Sequence, residues 1–222
     1  MSYKISVINQ KGGSGKSTIS RAIATSYASA DWDVKIADLD INQSTSFEWL
    51  QRRLQNKIQP TVAVEAFGTA SQALKQSDNY DLFIFDGAPT ASKTTQQIAK
   101  ESDLIIIPTG LSIDDLRPSV VLANSLVKED IECERICFVF NRATGSESEY
   151  KEACSYLKQT PYVLIDGRIE DKPCYRQAMD IGRSVIETQF KQPREKADLV
   201  IQNIINQLEL IVSEIVEDVT YG

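Results

Sequence analysis

Lys11-Gly12-Gly13-Ser14-Gly15-Lys16-Ser17-Thr18 places two lysines, five residues apart, in one glycine-rich turn. Its end, Gly15-Lys16-Ser17, matches the phosphate-loop spacing G-x-x-x-x-G-K-[ST], but Gln10 stands where the first glycine is expected, and Lys11 follows it. Upstream, Ile5, Val7 and Ile8 make Tyr3–Asn9 a short, largely buried strand. Downstream, Ile19, Ala22, Ile23 and Tyr27 recur at helical spacing through Ala28. Strand, glycine turn and helix form the setting that a phosphate loop requires. The glycines let the backbone approach the anion, and the N–H groups and helix dipole hold it. Within this loop Gly12, Gly13, Ser14, Gly15 and Thr18 are expected to contact a nucleotide. Lys16 is expected to reach the β and γ phosphates and the Ser17 hydroxyl to hold Mg²⁺. One lysine suffices for that task. Lys11 leaves the strand too early to fold back onto the same phosphates, so it is expected to serve a nucleotide in a second subunit, as an arginine finger supplied in trans does.

Lys11, Gly12, Gly13, Lys16 and Ser17 together resemble the deviant phosphate-loop pattern K-G-G-x-x-K-[ST] of the ParA and MinD ATPases. That resemblance implies two subunits sandwiching two ATP molecules, with Lys11 contacting the partner's nucleotide. Val34–Leu39 reads as the next strand, and Asp38 and Asp40 at its end share one face if the strand period continues. The resembling signature is D-x-D-P-Q, which assigns Asp40 to the attacking water and Asp38 to the support of Mg²⁺. The chain departs from it, with Ile41 for Pro and Asn42 for Gln. One of the two aspartates can equally cap a helix over 43–54. Asp81–Phe85 is an apolar strand ending at Asp86-Gly87, a pattern that places Asp86 on Mg²⁺ and Gly87 close to the γ-phosphate. Arg135–Phe140 ends at Asn141-Arg142, which resembles the family's adenine-side strand. No aspartate follows at the spacing a guanine site needs, which favours adenine.

Strands are also expected at 62–67, 104–107 and 162–165, with helices at 91–100, 112–128 and 148–158. Such alternation predicts a single α/β domain over residues 1–222, a mostly parallel sheet with helices on both faces and ligands at the strands' carboxyl ends. An apolar content of 42%, a charged content of 25% and a net charge of −7 are ordinary for a globular chain. No histidine is present, which excludes Ser-His-Asp and Cys-His nucleophiles and any His-ligated metal. Four scattered cysteines fit reduced thiols in the cytoplasm. Neither an apolar span nor a leader sequence is expected.

Between Asp166 and Lys196 seven basic residues face six acidic ones in an otherwise acidic protein. Arg168, Lys172, Arg176 and Arg194 are the candidate contacts to a DNA backbone, because family members bind nucleoid DNA through such residues when dimerised. The tail stripe of Ile201, Ile204, Ile205, Leu208, Ile211, Val212 and Ile215 ends among Glu214, Glu217 and Asp218. An anionic bilayer repels that ending, so the stripe is expected to pack on the core and not on a membrane. Tyr175–Glu187 resembles small plasmid-partition ATPases. The resemblance as a whole implies a nucleoid-associated ATPase that uses ATP and Mg²⁺, dimerises with ATP and is released by a ParB-like or McdB-like adaptor. Its cargo would be a plasmid or a carboxysome. The alternatives are a ligase of the dethiobiotin-synthetase type on the same fold, and an ATP-gated scaffold with negligible hydrolysis.

Overall fold

The computed structural model describes residues 2–41, 45–88 and 93–221, with side chains through Ser213. The strands are β1 (Tyr3–Val7), β2 (Val34–Asp38), β3 (Ala63–Ala66), β4 (Leu82–Asp86), β5 (Leu104–Thr109), β6 (Ile136–Ala143) and β7 (Val163–Glu170). They form one parallel sheet in the order β3-β2-β4-β1-β5-β6-β7. The helices are α1 (Lys16–Ala28), α2 (Thr45–Gln55), α3 (Ala70–Ser77), α4 (Lys93–Lys100), α5 (Ile113–Val127), α6 (Glu147–Leu157), α7 (Pro173–Asp180) and α8 (Lys191–Tyr221). The expected α/β class and parallel sheet are both found.

Both faces of the sheet are buried, and the strand period decides which residue goes where. Ile5, Leu82, Ile84, Leu104 and Ile106 face α1 and α8. Phe83, Phe85, Ile105, Ile107 and Phe138 face the other layer, which holds Ala73 of α3, Ile98 of α4, Leu122 of α5 and Leu157 of α6. On α8, Val200, Ile201, Ile204, Leu208 and Ile211 join the first core, as the tail's apolar stripe predicts as far as the side chains are described. No helix among the described residues is long and apolar enough to cross a membrane.

The differences from expectation lie at element ends. β7 runs to Glu170 instead of ending near Ile165, and β6 to Ala143, with irregular register between them. α3 and α7 are short helices whose patterns were too brief to separate from loop. Asn42 and Pro89, and the start of the helix expected at Ala91, lie outside the described residues. The chain order reverses around β1, which has β4 on one side and β5 on the other. A doubly wound sheet opens its crevice at such a point.

Candidate functional site

β1 leads into the loop, and α1 opens at Lys16 behind Gly15. Gly13 (φ 75°) and Gly15 (φ 94°) take backbone angles that side chains rarely adopt. A Cβ on Gly15 would also stand 1.6 Å from Asn141 Nδ2. That contact shows what β6 contributes. Asn141 Nδ2 donates to the Ser14 carbonyl (3.0 Å), and Arg142 Nη1 donates to the Gly13 carbonyl (2.8 Å). The two residues expected to contact nucleotide thus brace the loop. Asn141 Oδ1 is left buried without a partner.

The loop borders a cleft of about 360 Å³. Lys16, Ser17, Thr18 and Arg21 of α1 form its floor, Thr45, Glu48 and Arg52 of α2 one wall, and Tyr175, Arg176 and Met179 of α7 the other. Burial holds the Lys16 pKa below its ordinary value, against the pull of Asp86 and then Asp40.

The carboxylates separate. Asp38 is buried at the end of β2, whereas Asp40 lies beyond the strand and lines the cleft. Period 2 therefore does not carry across them, and the expectation that both face one way is corrected. Asp38 Oδ1 accepts the Asp40 N–H (3.1 Å) and Oδ2 accepts the Ser46 N–H (3.0 Å), which turns the chain and caps the first turn of α2. Burial, and next the neighbouring Asp86 charge, raise the Asp38 pKa to about 6. Asp86 is fully enclosed and its pKa is also raised, first by burial, with Arg21 opposing. Ser46 Oγ donates to Asp86 Oδ2 (2.7 Å), while Oδ1 has no hydrogen-bond partner. Thr45 Oγ1 lies 3.1 Å from Ser17 Oγ. Gly87 packs against Ile8 and donates its N–H to Val7 O (3.0 Å), so that N–H does not face the cleft.

Unsatisfied buried atoms concentrate here: Ser14 Oγ, Arg21 Nη2, Arg52 Nε, Asp86 Oδ1 and Asn141 Oδ1. Buried polar atoms are ordinarily paired, so a cluster of orphans around one cleft indicates a polar ligand. Among the described residues no group of three or more Asp, Glu, His or Cys could enclose a metal by itself. The hydroxyl of Ser17 and the free oxygen of Asp86 are instead the hard-oxygen pair that suits Mg²⁺, which takes one or two protein ligands and completes its shell with phosphate and water. The residues fit the ion.

Lys11 does not line the cleft. Its ammonium bonds Asp115 on α5, and its side chain is 47% exposed. Burial works against the Asp115 carboxylate, but Lys11 and the Ser112 hydroxyl outweigh it and lower the pKa.

The CobQ/CobB/MinD/ParA nucleotide-binding domain model matches residues 5–185. The chain belongs to this family. Among solved structures, MinD of Pyrococcus furiosus superimposes with TM-score 0.74 at 14% identity, covering 93% of this chain and 99% of that one. A plasmid partition protein of Borrelia burgdorferi B31 bound to AMPPNP gives 0.71 at 16%, covering 93% and 100%. A Cyanothece McdA–ATP complex gives 0.68 at 15%, covering 91% and 96%. Those likenesses establish the MinD/ParA fold. No curated protein sequence matches significantly.

The candidate DNA contacts are mostly neutralised within the chain. Arg168 pairs with Glu147 (3.0 Å) and lies over Tyr150, 4.4 Å from the ring centre. Lys172 pairs with Glu170 (2.5 Å) and Arg176 with Asp171, and both cations line the cleft. Arg194 is exposed on the first turns of α8. Sequence reasoning missed Arg21, Thr45, Ser46 and Asp115. Ser112-x-x-Asp115 looks like an ordinary helix start, and an arginine inside α1 carries no local signal.

Proposed function

We propose that this chain is an ATP-driven dimerisation switch of the ParA type. It binds Mg-ATP in the cleft, pairs with a second copy and hydrolyses ATP slowly until an adaptor completes the reaction. Lys11 carries this reading, because it is held outside the cleft that its own loop borders. A cation so placed serves no phosphate of its own subunit and is free to exchange Asp115 for a partner's nucleotide.

In the cleft, Lys16 and the loop N–H groups bind the triphosphate. Asn141 Oδ1 suits an exocyclic amine, which adenine presents and the O6 of guanine does not. Mg²⁺, when bound, offsets charge on the β and γ phosphates. Ser17 and Asp86 would hold it, with Asp38 supporting that shell. Asp40, on the cleft wall, orients a water toward the γ phosphorus. The new P–O bond forms as the bond to ADP breaks, and phosphate and ADP leave. The burial that resists Lys16 protonation is offset by the negative charge of bound phosphates.

Lys11→Ala tests the trans role. It is expected to leave monomer ATP affinity within about twofold and to remove the ATP-dependent dimer on size-exclusion chromatography, since only a contact made in the complex is lost. An unchanged dimer refutes the role.

Binding to nucleoid DNA, and with it a plasmid or carboxysome cargo, extends the same reading. Each of Arg168, Lys172 and Arg176 must leave a carboxylate to meet a phosphate, so the surface forms only where dimerisation rearranges it. Replacing these three and Arg194 by Ala is expected to weaken duplex retention with ATP and to shrink the slope of log affinity on log salt by about 0.9 per lost contact. Retention unchanged in slope places the polynucleotide surface elsewhere. The pairing of these cations favours, as the second reading, an ATP-gated scaffold without DNA. It predicts dimerisation with flat phosphate release, whereas a ligase predicts neither a dimer nor a DNA response.

A further inference from the structure

Two guanidiniums, Arg21 on the α1 floor of the cleft and Arg52 on its α2 wall, carry unused donors. Arg21 lies one helical turn beyond Ser17 and is 6% exposed. It lines the same cleft as Ser17 and Thr18. Nε donates to Ser46 Oγ (3.2 Å), and the group lies over Trp49, 5.7 Å from the ring centre. Nη2 is buried and has no partner. Arg52 lines the same cleft, and its Nε is equally unpartnered. Glu48 approaches Arg52 only to 3.9 Å.

The carboxylates facing Arg21 do not explain the arrangement. Asp38 accepts a backbone N–H on each oxygen, Asp86 Oδ2 accepts from Ser46, and Asp86 Oδ1 has no hydrogen-bond partner, so neither carboxylate is bonded to Arg21. Among the described residues, no carboxylate lies within ion-pair distance of Arg21. The Arg21 pKa falls to about 10, chiefly through burial; Asp86 opposes this, Arg52 adds like-charge repulsion, and Asp38 and Glu48 oppose it further. Two guanidiniums held close in a half-buried cleft repel unless an anion lies between them, and arginine donors match phosphate oxygens in geometry and charge.

We infer that Arg21 and Arg52 form a binding site for one phosphate group beside the phosphate loop. The group is either the α-phosphate of the nucleotide held by that loop or a free inorganic phosphate. The first source rests on the nucleotide reading above, and the second does not.

Trp49, beneath Arg21, reports occupancy. In a Trp32→Phe background it is the remaining tryptophan, so its fluorescence can be titrated with adenosine, AMP and inorganic phosphate. AMP is expected to shift the emission and adenosine is not. Arg21→Gln is expected to weaken AMP about 10- to 100-fold, with partial recovery in Arg21→Lys, because a charge-assisted donor is lost and then partly replaced. A shift by phosphate alone that disappears in Arg21→Gln assigns the site to free phosphate. Arg52→Gln, at a half-exposed side chain, carries the same comparison should Arg21→Gln not fold. The inference is overturned if AMP and phosphate affinities are unchanged in both variants. Lys16→Ala separates the two claims. ATP affinity lost there but intact in Arg21→Gln sinks this site alone, whereas ATP affinity intact in Lys16→Ala sinks the nucleotide reading and leaves the phosphate titration to decide.

Discussion

Lys16→Ala is expected to lower ATP and ADP affinity by on the order of 100-fold or more, because charge-assisted hydrogen bonds to two phosphates vanish together. The fold is not expected to suffer. Lys16 is buried and its protonated form is disfavoured where it sits, so truncation removes a desolvation cost along with the attraction to Asp86 and Asp40. Thermal unfolding with and without ADP checks both halves. A ligand at 100 times its dissociation constant stabilises by about 2.7 kcal/mol. For a chain of this size that raises Tm by about 5–10 °C. The wild-type protein should show the rise and Lys16→Ala should not, while their ligand-free Tm values stay close. An equal ADP shift in both would end the assignment of this loop to phosphate.

Arg53→Met is expected to cost about 3 kcal/mol, the low end for breaking a buried ion pair, since part of Glu187 reaches solvent. Arg53 on α2 is completely buried, with Nη1 and Nη2 on the two Glu187 oxygens (2.9 and 2.8 Å), Nη1 also on Gly182 O (3.0 Å) and Nε on Pro60 O (2.9 Å). Methionine keeps the apolar stem, so the loss reports the charge and its bonds more than a cavity. Gly182 permits the approach, as a Cβ there would stand 2.2 Å from the Arg53 nitrogen. Trp49 Nε1 donates to Arg183 O (2.9 Å) beside it, so α2 and the segment after α7 are joined as the two walls of the cleft. A Tm fall of about 6–12 °C by circular dichroism is the expected reading. Adding Glu187→Met should recover part of it, because two unlike charges removed together leave neither stranded. Strict additivity of the two losses would show that the pair contributes no coupling.

The phosphate loop was legible because everything it needs is contiguous: an apolar strand, glycines at the left-handed positions and a helix opening at Lys16. The Asp86 strand was legible for the same reason. Asp38 and Asp40 were legible as a pair but not as a geometry. β2 stops at Asp38, and the Asx turn made by its carboxylate sends Asp40 elsewhere. The basic run at 166–196 was visible as composition, yet the acids that pair with it sit on α6 and at the end of β7, and composition does not say which charges meet.

From the sequence alone followed the α/β class, the parallel sheet, the position of the loop and the apolar stripe of α8. These depend on period and on local backbone chemistry, which neighbouring residues encode. The tertiary structure alone decided that Lys11 rests on Asp115, 104 positions away, that Arg53 meets Glu187 across 134, and that Nη2 of Arg21 is left without a partner in the cleft that Arg52 also lines. Such contacts are set by how the sheet orders its strands and brings α1, α2 and α7 around one cleft. No spacing along the chain carries that information, because a side chain's partner is fixed by distance in space after the loops have closed.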